Sequence, residues 1–308
     1  MHEDLSKTTF FFQIPLAHSP RPTEERTTVI TPTSHSLPPQ LKTISIIGRG
    51  IDPEKHLTLQ ALRALKAADR AFGIEPETAT WKKFQKEFGT PVIEDLSFLY
   101  RSDRIDQANY EAFVATILQA LDSCKHLALL VAGHPMVGVS FIRILRSKLE
   151  DRIDSEVKIE IIGGISSFDT LLLDLQLDPL ERGTLLLDTN RLLLLEYELD
   201  PSLGAFLYHV CSVGNSITDY RNTSSTTRLS LLKHYLLRFF PPHKELFLCR
   251  SSFGVDVQSA RFSITLAELE QAAEQIDFAT TLYIPPEKPR RLNRDFLSLL
   301  QNTSGVSS

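Results

Sequence analysis

The sequence predicts an α/β protein of two lobes, with a largely parallel sheet in the first lobe and a mixed sheet in the second. Three observations carry that expectation. In the first half, short apolar runs alternate with segments of helical period, the pattern of a parallel sheet covered on both faces. Two of those runs, LALLVA and VKIEII, stop on Gly133-His134-Pro135 and Gly163-Gly164-Ile165-Ser166-Ser167, as buried strands do when they break into loops. The second half changes rhythm, with short apolar segments following one another closely, which predicts antiparallel pairs.

Taken in order, residues 1–42 are rich in Ser, Thr and Pro and are expected to form a disordered extension, with Phe10-Phe11-Phe12 as their adhesive feature. The first lobe is assigned to 43–188. Lys42–Ile47 reads as a strand ending at Gly48-Arg49-Gly50, and Leu57–Arg70 as an amphipathic helix. Tyr110, Phe113, Val114, Ile117, Leu118 and Leu121 have the spacing of a buried helical stripe. The strands Leu127–Ala132 and Val157–Ile162 follow, with a helix near Phe141–Leu149 between them. Gly183-Thr184 opens a further strand, LLLDT. The second lobe is assigned to 189–287, with strands near Ala205–Val210, Leu246–Cys249, Arg261–Ile264 and Thr281–Ile284, and helices at Leu229–Phe240 and Leu266–Ile276. Residues 288–308 read as a basic polar tail that frays.

Composition narrows the function classes. A chain of 308 residues is long enough for two cores, and its net charge of −5 offers no basic field for nucleic acid. Cys124, Cys211 and Cys249 have neither disulfide nor zinc spacing, which points to a reducing cytoplasm. No apolar run approaches a membrane span and the N-terminus does not read as a signal peptide, so no membrane partner is expected.

The loops supply the candidate site. Gly48-Arg49-Gly50 after a strand invites a dinucleotide-binding reading, but the third glycine position is Pro53, which excludes the fingerprint. What remains is either a tight turn or a glycine edge against which a flat cofactor lies. Gly138 is likewise a pocket residue or a turn residue needing positive φ. Ser166 and Ser167 read equally as a helix cap, with Asp169 in the first turn, and as ligand hydroxyls.

The segments GRGI, LTLQALRALKAADRAF, GHPMVG, GGISSFDTLLLDLQLDP and TLYIPP fall in the order found in the tetrapyrrole-methylase superfamily, which the chain resembles over residues 43–287. Through SSFDTLLLDLQLDP, HVCSVGN and TTLYIPP it is most similar to the borosin-type peptide backbone N-methyltransferases. The resemblance implies a homodimeric enzyme with S-adenosyl-L-methionine in a cleft between two α/β lobes. It places the cofactor against Gly48, Gly50, Gly133, His134, Pro135, Met136, Val137, Gly138, Ser166, Ser167, Ser212, Val213 and Gly214, and gives His134 the structural role of holding its loop. For catalysis it implies Tyr100 and Tyr110. The arginine of the family pattern falls on Asp106, with Arg101 and Arg104 nearby to substitute, and a further family tyrosine falls on Ala132. The expected reaction is methylation of a peptide or other amide in trans, because the stretch after Pro286 is short for a tethered acceptor. The alternatives are a small-molecule, tetrapyrrole-type C/N-methyltransferase and a non-catalytic regulatory module that binds the cofactor.

Overall fold

The computed structural model describes residues 41–74, 78–150, 157–217, 227–251, 259–287 and 291–302. The expected extension therefore lies almost wholly outside the described residues. Two compact units emerge, one of residues 58–164 with the strand before Gly50, the other of 165–308 with Gly50–Leu57.

The first unit holds β1 (Lys42–Gly48), α2 (Leu59–Ala67), β2 (Arg70–Gly73), α3 (Thr78–Phe88), β3 (Ile93–Asp95), α4 (Asp106–Leu121), β4 (His126–Val131), α5 (Phe141–Glu150) and β5 (Val157–Ile162). The short helix α1 (Pro53–His56) groups with the second unit. The five strands of the first unit run in the order β3-β2-β4-β1-β5, and every pairing is parallel. β1 lies between the two strands whose abrupt ends mark the sequence, so Ile47 is level with Leu130 on one side and Ile162 on the other. Ile44, Ile46, Leu127 and Leu129 pack with Phe113, Ile117 and Leu121 of α4 and Leu145 of α5, all of them almost fully buried. Each such side chain contributes about 1.5–3 kcal/mol of burial free energy. On the opposite face of the sheet the buried hydroxyl of Ser45 is matched by His126 Nε2 at 2.8 Å.

The second unit adds α6 (Ser167–Leu175), α7 (Pro179–Arg182), β6 (Thr184–Asp188), α8 (Thr189–Leu194), β7 (Gly204–Tyr208), α9 (Leu229–Leu236), β8 (Glu245–Arg250), β9 (Ala260–Thr265), β10 (Thr280–Ile284) and α10 (Arg294–Asn302). Its sheet runs β6-β7-β10-β8-β9, with β6 parallel to β7 and the other pairs antiparallel. Leu232 and Leu236 of α9 and Leu266 and Leu269 of a 3₁₀ helix at Leu266–Gln275 bury against Leu207, Leu246, Leu248 and Leu282.

A parallel sheet followed by a mixed one is the expected architecture, but its seam is displaced. β6, placed by the sequence reading in the first lobe, is an edge strand of the second sheet, so the division falls at Gly164 rather than residue 188. Periodicity cannot tell which sheet a strand joins. β2, α3 and β3 also went unread: RAFG and IED are too short to show a period, and β3 buries none of its three residues. The expected helix from Leu57 starts later, because Thr58 accepts from Ala61 N as its N-cap. The tail read as fraying holds α10, an amphipathic helix with Phe296, Leu299 and Leu300 exposed.

Candidate functional site

In open α/β sheets ligands bind at the carboxyl ends of the strands. On the first unit that edge is formed by three loops leaving β1, β4 and β5, and they touch through bare backbone. A Cβ on Gly164 would lie 2.5 Å from Gly48 O and 2.6 Å from Gly133 O, and one on Gly48 would lie 2.7 Å from Gly133 O and Gly164 N. The glycines are required because three main chains meet here. The side of Gly48 where a side chain would project is therefore filled by the protein's own backbone and the Pro135 ring. Gly50 is similarly covered by His56, within the second unit.

The loop after β4 is shaped by its own atoms. His134 Nδ1 accepts from Met136 N at 3.1 Å and His134 O from Val137 N at 3.0 Å, which gives His134 the loop-holding role. Pro135 is buried and Met136 is 61% exposed. Gly138 has φ of +73°, so of its two readings the turn is the one the backbone requires. Arg49, which the sequence reading left without a role, is only 2% exposed, and its N–H donates to Val131 O at 2.9 Å.

Tyr100 follows β3 at the same edge. Its ring lies 6.5 Å from Tyr110 and 6.3 Å from Phe113, and Phe113 lies 6.4 Å from Phe141, the residue that opens α5. A continuous aromatic seam thus connects Tyr100 to the helix that follows the Gly133–Gly138 loop. Tyr110 is half-buried, its expected place on the stripe of α4. The arginines depart from expectation. Arg101 makes a bidentate pair with Asp103 at 2.6 and 2.9 Å, and Arg104 is exposed on the surface. The Tyr100 hydroxyl instead donates to Asp106 Oδ1. The fully buried Asn109 clamps the neighbouring backbone, accepting from Arg101 N at 3.0 Å and donating to Arg101 O at 2.9 Å.

On the second unit, the serines turn inward. Ser166 caps α6 in a reciprocal box with Asp169, while Ser167 Oγ donates to the Tyr208 hydroxyl at 3.3 Å. Ser212 is buried with its hydroxyl on His209 O, and Val213 is fully buried. Three consecutive residues that the sequence reading missed, Asp188, Thr189 and Asn190, brace this loop. Asp188 Oδ2 meets His209 Nδ1 at 2.7 Å, Thr189 Oγ1 donates to Tyr208 O, and Asn190 donates to Ser212 O at 2.9 Å and accepts from Gly214 N at 2.8 Å. Burial alone would raise Asp188, but the hydrogen bond and charge of His209, helped by Arg191, hold it below the ordinary carboxylate value. Burial pushes the Tyr208 phenol up. The pattern Asp-Thr-Asn after a strand is the one signal of this brace in the sequence, since short polar side chains at a strand end favour backbone contacts.

Comparison with known proteins agrees with this architecture. A family model for tetrapyrrole (corrin/porphyrin) methylases matches residues 43–200. The chain is 26% identical over 245 residues to pgiMA1 of Phlebiopsis gigantea, described as a methyltransferase/ribosomally synthesized type II borosin cyclic peptide precursor, covering 79% of this chain and 43% of that one. It is also 26% identical over 267 residues to the type I counterpart sveMA of Serendipita vermifera subsp. bescii, covering 85% of this chain and 63% of that one. The chain thus spans about half to two thirds of the length of these relatives. Uroporphyrin-III C-methyltransferase from Thermus thermophilus, solved in complex with S-adenosyl homocysteine, shares the fold with a TM-score of 0.52 at 16% identity, over 79% of this chain and 97% of that one. The family model covers half of the sequence and contains the entire parallel sheet with its glycine-lined edge, and the chain belongs to the tetrapyrrole (corrin/porphyrin) methylase family.

Proposed function

We propose that this chain is an S-adenosyl-L-methionine-dependent methyltransferase that N-methylates an amide of a peptide or similar substrate. Membership of the family supports methyl transfer, and the names of the borosin relatives support a peptide acceptor. The observation that carries the choice of an amide is Tyr100, a phenol bonded to a carboxylate at the carboxyl edge of the parallel sheet. An electron-rich macrocycle carbon needs no such group, whereas an amide nitrogen becomes nucleophilic only as its proton leaves.

The residues present fit the cofactor. Its adenosyl part needs apolar cover and backbone partners, which the exposed Met136, Val137 and the main chain of Gly133–Gly138 offer. Ser167 is a candidate hydroxyl contact. Ser166, Ser212 and Val213 would contribute through the backbone they shape, and Gly48, Gly50 and Gly214 by keeping their loops close. When bound, the sulfonium supplies an electrophilic methyl group. Tyr100 and Tyr110 orient the acceptor amide, and Tyr100 helps remove its proton, a contribution typically of about 10²–10⁴ in rate.

A second reading, cofactor binding without catalysis, is favoured by Arg101, whose guanidinium is engaged by Asp103 instead of standing at Tyr100. Mass spectrometry of candidate peptides incubated with protein and S-adenosylmethionine separates the two. Methylated peptide that disappears with Tyr100→Phe supports the amide reading. Cofactor binding with no methylated product from peptides or tetrapyrroles supports the regulatory one. The proposal includes a homodimer in a reducing cytoplasm. Exposed Phe296, Leu299 and Leu300 and three buried thiols support it, and light scattering tests the first part. Among the described residues no helix is long and apolar enough to cross a membrane.

A further inference from the structure

We infer that Asp106 is a positioning residue of the amide-methylation site, holding the Tyr100 hydroxyl and receiving its proton as Tyr100 takes the proton of the acceptor N–H; this rests on the methyltransferase reading above. The resemblance places an arginine at this position. A guanidinium can stabilise a developing anion but does not accept a proton, whereas a carboxylate does. The substitution therefore changes the chemistry of the site as well as its charge.

The geometry is prepared for this role. Asp106 is the first residue of α4, and Ile105 before it caps the helix with no side-chain hydrogen bond. Tyr100 is held by ring packing against Tyr110 and Phe113, and its chain neighbour Arg101 is clamped on both N–H and C=O by the buried Asn109. Both partners are half-buried, so the pair is shielded in part and still reachable. The pairing of Arg101 with Asp103 keeps that guanidinium occupied elsewhere.

The step balances. The acceptor N–H bond breaks and its proton passes to Tyr100 Oη, while the proton of Tyr100 passes to the Asp106 carboxylate. The electron pair left on nitrogen forms the bond to the methyl carbon as the bond from that carbon to sulfur breaks. One carboxylate and one sulfonium become a carboxylic acid and a neutral thioether, and the N-methyl amide is neutral.

The test uses the full chain and Asp106→Asn, Asp106→Glu and Asp106→Arg. Ultraviolet titration of the phenols, with Tyr100→Phe identifying the Tyr100 signal, reads the pair without turnover. A neighbouring carboxylate opposes phenolate formation, so Tyr100 is expected to ionise at lower pH in Asp106→Asn than in the wild type. Turnover should fall on the order of 10²-fold in Asp106→Asn with KM and S-adenosylhomocysteine binding unchanged. Asp106→Glu should recover part of that loss, and Asp106→Arg should be as inactive as the asparagine variant. An active Asp106→Arg, or a Tyr100 titration that ignores Asp106, overturns the inference. A wild type that methylates no amide sinks the amide reading instead, and the titration still decides whether Asp106 governs Tyr100.

Discussion

The two units build their strand-end loops by different means. In the first, the loops after β1, β4 and β5 are held chiefly by backbone meeting backbone at Gly48, Gly133 and Gly164, with the Pro135 ring packed against Gly48. In the second, the loop after β7 is held by the side chains of Asp188, Thr189 and Asn190. A glycine contact tolerates no addition, whereas a side-chain brace tolerates partial loss. Damage in the first unit should therefore be all-or-none, and damage in the second graded.

The largest expected effect follows from Gly164→Ala. Its Cβ would meet two carbonyl oxygens within 2.6 Å. Backbone cannot yield as a flexible side chain does, so a loss on the order of 3 kcal/mol is expected in thermal or denaturant melts. A variant as stable as the wild type would break the contrast between the units. Next comes Asn190→Ala, which leaves Gly214 N without its acceptor and Ser212 O with Asn215 N as its remaining donor, and should cost about 1–3 kcal/mol. It should also weaken S-adenosylhomocysteine binding while leaving the Tyr100 titration unaltered.

Gly138→Ala is smaller. At φ of +73° alanine is strained, and a loss of about 1 kcal/mol is expected with or without ligand. Equal melting shifts in both conditions support the turn; a shift confined to the liganded protein would restore the pocket reading.

The second unit also has a pH signature. Asp188 has a lower pKa folded than unfolded, so the stability it provides is present above the unfolded value of about 3.9 and is lost as pH falls through the folded one. The stability gap between wild type and Asp188→Asn should be wide near neutrality and should close in acid. The smallest effect is chemical: burial pushes the Cys249 thiol up to about 12, so it should resist alkylation in the folded protein at neutral pH.

This contrast also explains what the sequence made legible. Leu127–Val131 and Val157–Ile162 announced buried parallel strands, and the small residues after them announced close backbone, because apolar runs and glycines act locally. β6 and the Asp188–Asn190 brace were not legible in the same way. Their meaning lies in which strand they join and which carbonyl they reach, and both are set by tertiary pairing. Tyr100 was singled out through the family resemblance, but its partner was not. The expected arginines follow it in the loop, and only the turn into α4 brings Asp106 to its hydroxyl. Of the two readings of Ser166 and Ser167, the helix cap is seen at Ser166, while Ser167 reaches Tyr208.

The most direct test of the central claim is calorimetric titration of S-adenosylhomocysteine into the full-length protein, with unfolding monitored in parallel. Saturable heat at one site per chain is expected, reduced by Asn190→Ala and unchanged by Asp106→Asn. Bound ligand should also raise the melting temperature in a concentration-dependent way. A protein that melts cooperatively yet shows no heat and no ligand-dependent shift at about millimolar concentration would contradict the claim, since affinity weaker than that contributes less than about 4 kcal/mol.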